Sequence, residues 1–270
     1  MGSNQTPLLK KRFYQVKIKS LEVTSLRELG QLMGQLQRQA FCKTYGKIWD
    51  LVAVEVFVEA IASLTQYYDL PLRCFTFGDF QLVPTADEFE EILGCSLGGR
   101  KPYLFSGFYP SMVRVERVVK ILVQELDRVK QNRNEVVGIT RKHLEGKEKA
   151  LADQEEWASF IDVFALLIFG VVLFPYVEGL VDLAAIDAFL AYHHSKESPV
   201  IAILANAYDI FDIRCKKSSA RIVCCTPTLY GWLVSHVFNQ GSRFVYPLQG
   251  YRMCSGKDNV NWGELLAGMI

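Results

Sequence analysis

Apolar side chains recur along most of this chain at intervals of three and four, the spacing of one buried helical face. Ser25-x-x-Glu28 has the form of a capping box and predicts a helix running through Gln39. From Lys47 to Tyr68 apolar residues crowd together, with Glu55 and Glu59 four apart on one polar stripe, so a mostly buried helix is expected, closed by Pro71. Phe75, Phe77 and Phe80 around Gly78-Asp79 predict a short hairpin or turn within residues 73–84. Thr85-x-x-Glu88 is a second capping box, and its helix carries Phe89, Ile92 and Leu93 before stopping at Gly94.

Residues 98–110, GGRKPYLFSGFYP, read as a loop. Val113 to Arg133 then predicts one amphipathic helix with Val115, Val119, Leu122, Leu126 and Val129 inward. The stretch 132–156 is the most polar and predicts a mobile connection holding a short helix near 140–150. Gln154 to Phe174 reads as a core helix and Val181 to His193 as another. Ser198-Pro199 and Thr226-Pro227 each place a capping residue before proline, a helix-start signal. Asn261-x-x-Glu264 opens a further helix at 259–270, close enough to the end to suggest a fragment of a longer protein.

Period-two strand patterns are scarce and do not alternate with helices, which argues against a doubly wound sheet. The expected fold is mainly α, a multi-helix domain over residues 23–258 preceded by a basic tail, residues 1–22, with one short hairpin. Half of the 270 residues are apolar and 22% are charged, enough to bury a sizeable core. The 30 Lys+Arg balance 29 Asp+Glu, which disfavours a protein that coats nucleic acid over its whole surface. The apolar run Phe160 to Val177 holds Asp162 and Pro175 and falls short of the roughly 20 residues of a bilayer span. Seven cysteines without a CxxC pair, mostly among apolar neighbours, fit free thiols in the nucleus or cytosol.

Candidate chemistry is sparse. His193 and His194 are adjacent, so on an α-helix they point about 100° apart and would not readily share an ion. No metal site, nucleophile elbow or phosphate loop emerges, and no cofactor is expected. Asp182 with Asp187, and Asp209 with Asp212, read as polar edges of helices rather than as a nuclease centre. Arg214, Lys216, Lys217 and Arg221 form a local basic cluster suited to phosphate contact, as does the stretch Lys10 to Lys19. Gly78 and Asp79, with Gly99, Arg100, Lys101 and Tyr103 of the following loop, are the candidate interaction positions, because conformationally special loops often bind.

Three segments together resemble the plant mobile domain family, also called "aminotransferase-like". FTFGDFQLVPTADEFEEILGCSLGG (Phe75–Gly99) is similar to its signature, with Gly78-Asp79 where the family has Gly-Glu, Thr85 opening the helix and Leu93-Gly94 closing it. Phe164 to Leu190 resembles its apolar helix, and the stretch from Ser198 to Phe238 resembles a legume-expanded branch. Tryptophans common in the family are missing around Leu72 and before Tyr230. The resemblance implies a non-catalytic interaction module of transposable-element origin, nuclear, linked to transposon silencing or genome maintenance, with a phosphatase-like protein partner. Nucleic-acid binding within an element's machinery is the alternative. A pyridoxal- or metal-dependent enzyme is the third, although no lysine in a suitable apolar pocket stands out for a Schiff base.

Overall fold

A computed structural model describes residues 16–77, 80–95 and 99–238. The architecture is mainly α, with eleven α-helices and two three-stranded sheets among the described residues. Its centre is α8 (Trp157–Ile168), whose Phe160, Val163, Phe164, Leu166, Leu167 and Ile168 are all fully buried. Each such side chain contributes about 1.5–3 kcal/mol on leaving water, so this helix anchors the domain. Around it pack α1 (Thr24–Gln31), α2 (Gln35–Tyr45), α5 (Met112–Val119), α7 (Arg141–Asp153) and α9 (Leu183–Leu190).

Several expected helices are broken. The first stops at Gln31 and restarts at Gln35, with Gly34 preceding the new helix. Ser25 does not cap α1. Its hydroxyl donates to Glu145 Oε1 at 2.5 Å, and Arg141 in turn donates to it. The run from Lys47 to Tyr68 is a 3-10 turn, Asp50–Ala53, an extended break and α3 (Val58–Leu64), followed by a further 3-10 turn. Val52, Val54, Val56 and Val58 are β-branched at alternate positions, which suits that extended break better than a continuous helix. The amphipathic stretch from Val113 divides at Lys120, in a left-handed conformation (φ 54°), into α5 and α6 (Val123–Val129).

The hairpin is present. Strands β1 (Tyr68–Asp69), β2 (Cys74–Phe77) and β3 (Phe80–Leu82) pair antiparallel, with Phe75 opposite Leu82. The capping box is present too. Thr85 Oγ1 accepts from Glu88 N, and Thr85 N donates to Glu88 Oε2 at 2.8 Å, starting α4 (Ala86–Leu93). The stretch 132–156 holds the expected helix, α7, and before it a strand pair that the sequence reading did not include. β4 (Lys130–Arg133) turns through Asn134 and Glu135, both at positive φ, into β5 (Val136–Thr140), which leads directly into α7. β6 (Leu180–Asp182) completes this second sheet, so Asp182 ends a strand rather than sharing a helix with Asp187.

The core helix ends in a wide π turn, Phe169–Leu173, and α9 continues into another, Ala191–Ser195. The proline-marked starts open α10 (Val200–Lys216) and α11 (Thr226–Phe238). Residues 16–21 are not a free tail. Ile18 forms a parallel bridge with Ile222, and Lys19 N donates to Ile222 O at 2.9 Å. The further helix expected at 259–270 lies outside the described residues.

Candidate functional site

The loop after α4 is the most distinctive surface. Gly78 and Asp79 lie outside the described residues, so the candidate positions that can be placed are Gly99 to Tyr103. Gly99 sits at φ 81°. Arg100 lays its guanidinium over the Tyr192 ring, 5.2 Å from the centroid, with Nη1 buried and lacking a hydrogen-bond partner. Burial raises the Tyr192 hydroxyl to about 12. Lys101 is exposed, but its carbonyl accepts from Ser198 N at 2.8 Å, and Tyr103 N donates to Ser198 O at 2.8 Å. Tyr103 is buried and donates its hydroxyl to Asp187 Oδ2 at 2.8 Å. Tyr103 is therefore an anchor rather than a contact surface.

Beyond that anchor the chain turns its apolar side chains outward. Leu104 is 71% exposed and Phe108 81%, with Phe105, Tyr109 and Val113 also exposed. The Phe105 and Tyr109 rings pack on each other at 5.2 Å, and Pro110 tucks back inside. Lys101 precedes this stretch, and Arg114 and Arg117 follow it on the first turns of α5, all three of them exposed. The result is an exposed aromatic knob, with cations before and after it in sequence. Single exposed apolar residues are ordinary, but a contiguous run marks a contact surface.

The basic positions lie elsewhere. Lys216, Lys217 and Arg221 are exposed, whereas Arg214 is half-buried with a buried, unpartnered Nε. The bridge at Ile222 brings Lys17 and Lys19 to the same edge, because Ile222 N donates to Lys17 O at 2.8 Å. Lys19 is only partly available. Its Nζ donates to Pro175 O at 2.6 Å, and burial lowers its pKa, opposed by Glu178 and helped by Arg221. Lys10 to Arg12 lie outside the described residues.

The acids serve the fold. Asp182 Oδ1 accepts from Ala185 N and caps α9, while Asp212 accepts from Tyr68 and pairs with Arg73 at 3.0 Å. Glu88 does more than close its capping box: Trp232 Nε1 donates to it at 3.1 Å, and His236 Nε2 lies 2.6 Å from it. Burial pushes this carboxyl up, but the hydrogen bonds from His236 and Thr85 outweigh that and hold it below its ordinary value.

One cluster escapes the sequence reading. Asp162, the acid that interrupts the apolar helix, accepts from Tyr45 Oη at 2.6 Å and lies 3.3 Å from His193 Nε2. Burial, then Asp162, raises the Tyr45 hydroxyl far above its ordinary value. On the π turn, His193 and His194 do not diverge: their Nδ1 atoms stand 3.4 Å apart. A π turn spaces successive side chains more closely around the axis than an α-helix does, and such turns gather at functional sites. Burial, followed by His193 and Arg114, lowers the His194 pKa. An acid inside an otherwise apolar helix was the available signal, but nothing local announced the π turn. No group of three His, Cys, Asp or Glu side chains able to hold a metal occurs among the described residues.

The described residues form a mainly α domain with an exposed aromatic loop. The profile of DUF7745, a domain of unknown function, matches residues 26–270, and the chain belongs to that family. No curated protein and no solved structure matches it. No helix among the described residues is long and apolar enough to cross a membrane.

Proposed function

We propose that this chain is a non-catalytic protein-interaction module that docks through the loop Leu104 to Tyr109. The exposed aromatic knob carries this reading. Two phenylalanines and a tyrosine held in water between anchored ends are costly unless a partner covers them, and aromatic anchors dominate binding energy at interfaces. The exposed cations before and after them in sequence, Lys101, Arg114 and Arg117, suit a partner segment that is acidic around its own apolar anchors. The resemblance to plant mobile domains supports a transposable-element origin, a nuclear setting in silencing or genome maintenance, and a phosphatase-like partner.

The test is capture of partners from plant nuclear extract with nuclease present, comparing the wild type with a Phe105→Ser/Phe108→Ser variant. The variant should fold normally, because both side chains are exposed, and should lose partner affinity by about 2 kcal/mol, roughly thirtyfold. Equal capture by a folded variant would remove the knob from the interface.

A second reading is favoured by one observation: the fold unites two basic segments about 200 residues apart in sequence, Lys17–Lys19 and Arg221. As a nucleic-acid contact, this edge with Lys216 and Lys217 predicts binding that weakens steeply with salt. Changing Lys216 and Lys217 to Gln should lower the slope by about one unit for each phosphate that is no longer neutralised. Binding that is indifferent to salt would exclude it.

A further inference from the structure

We propose that Ser219 is a phosphoacceptor for a protein kinase that reads basic segments, and that its phosphorylation switches off the basic edge as a nucleic-acid contact. The switch rests on the nucleic-acid reading above, whereas the site does not. Helix α10 ends at Lys216, and Lys217 N donates to Ile213 O at 2.8 Å to close its last turn. Ala220 N then donates to Lys217 O at 2.9 Å, which leaves Ser218 and Ser219 at the tip of a turn. Both side chains are exposed, and neither hydroxyl is hydrogen-bonded to another described residue.

The flanking charge selects the class of enzyme. Lys217 and Lys216 stand two and three residues before Ser219, Arg221 stands two after it, and all three are exposed. Among the exposed serines that the structure describes, only Ser219 has a cation at both of those preceding positions; Ser20, Ser106, Ser111 and Ser195 do not. A kinase whose substrate groove is lined with carboxylates would take such a segment by charge complementarity. Opening the turn breaks one backbone hydrogen bond at an exposed helix end, where local opening costs least. The transfer needs only ATP. Ser219 Oγ attacks the γ-phosphorus and gives its proton to the kinase's base, the bond from that phosphorus to the oxygen bridging the β-phosphate breaks, and phosphoserine and ADP result.

The product alters the edge on which it lies. A phosphoserine carries about −1.5 to −2 charges near pH 7. The exposed cations of this edge are Lys216, Lys217 and Arg221, joined by Lys17 through the hydrogen bond from Ile222 N to Lys17 O at 2.8 Å. Lys19 adds little, because its Nζ is held by Pro175 O at 2.6 Å. One phosphate on Ser219 therefore cancels about half of the edge's charge. It also occupies, as an anion of the same chain, the cations that a nucleic-acid phosphate would need.

The test incubates the full chain with magnesium ATP and the catalytic subunit of a base-directed serine/threonine kinase, and reads intact mass and peptide maps. Ser219 should carry one phosphoryl group. Ser219→Ala, on an exposed side chain, should fold by circular dichroism and lose that label. Lys216→Gln/Lys217→Gln should slow labelling of the intact serine by about tenfold or more. A kinase that prefers acidic segments should leave Ser219 unlabelled. Binding to a short DNA duplex is then followed over a range of salt. Phosphorylation should weaken it by about tenfold or more at low salt and flatten the salt slope by about 1.5 units. Ser219→Ala treated with the same kinase should bind as the unmodified chain does. Absence of label at Ser219, or labelling indifferent to the two lysines, would overturn the site. Unchanged DNA binding by the labelled chain would overturn the switch. An unmodified chain that binds no DNA would remove the nucleic-acid reading and the switch with it, and labelling of Ser219 would still decide the site.

Discussion

Glu148 shows how far a single residue can depart from its surface-loving type. It is fully buried on α7, on the same face as Leu144 and Leu151, and neither carboxyl oxygen has a partner. Burial raises its pKa well above the ordinary 4.5, and the nearby Glu145 adds to the shift. The folded chain therefore keeps this proton at pH values where the unfolded chain has lost it. By linkage, its stability contribution is complete below about pH 4.5 and is lost as pH rises toward the folded pKa. Glu148→Gln cannot ionise, so at pH 7 it should be more stable than the wild type by about 1–3 kcal/mol, with the gain vanishing at pH 4. Denaturant melts at the two values measure this, and a gain that does not depend on pH would point to packing instead. Nothing in the sequence marks this residue. RKHLEGKEKA reads as a solvated helix, and only the placement of α7 on α8 makes position 148 internal. His193 and Asp162 were hidden in the same way, since their meeting depends on a helix widening that no propensity records.

At the scale of elements, the stops were more legible than the continuity. Thr85, Glu88 and Gly94 begin and end α4 as their spacing predicts, because a capping box and a left-handed glycine are local devices. The breaks at Met33, Val54 and Lys120 were not legible, since apolar periodicity continues through each and the interruption is set by what each half packs against. The sheet β4–β5–β6 was missed because β4 is exposed throughout and carries no apolar alternation, although Val136, Val137 and Ile139 of β5 are strand-forming. The helix ends also meet. Gly46, ending α2 at φ 68°, would place a β-carbon 2.3 Å from the carbonyl oxygen of Gly94, which ends α4. Lys47 N donates to Leu93 O at 2.8 Å across the same junction. Gly46→Ala should therefore cost about 1–3 kcal/mol from backbone strain alone, with the clash adding to it. Gly99→Ala, at positive φ but facing open space, should cost less. Melting temperatures of the two variants decide whether the close approach matters beyond the dihedral angle.

For the whole molecule, burial of α8 was foreseeable from its apolar run, but the closure of the domain on itself was not. Val16, Ile18, Leu21 and Val23 pack on the core although the sequence before them is polar and basic. The parallel bridge to Ile222 ties the start of the described chain to the segment that precedes α11. Beside it, a cavity of about 180 Å³ is lined by Ile18, Leu21, Leu51, Val54 and Pro227, so this strand walls off a space between distant parts of the chain. A chain beginning after Leu21 should lose the cover from Val16, Ile18 and Leu21 and the two backbone hydrogen bonds at Ile222. On burial alone, each aliphatic side chain half removed from water is worth on the order of 1 kcal/mol, so the truncated domain should melt several degrees lower. Ile18→Asp, which keeps the length of the chain, should reproduce most of that loss by placing a charge where an apolar wall is needed. Equal melting of truncated and full chains would show that the bridge is dispensable. It would also free Lys17 and Lys19 from Arg221, and the basic edge proposed for nucleic acid would then have no structural reason to exist as one surface.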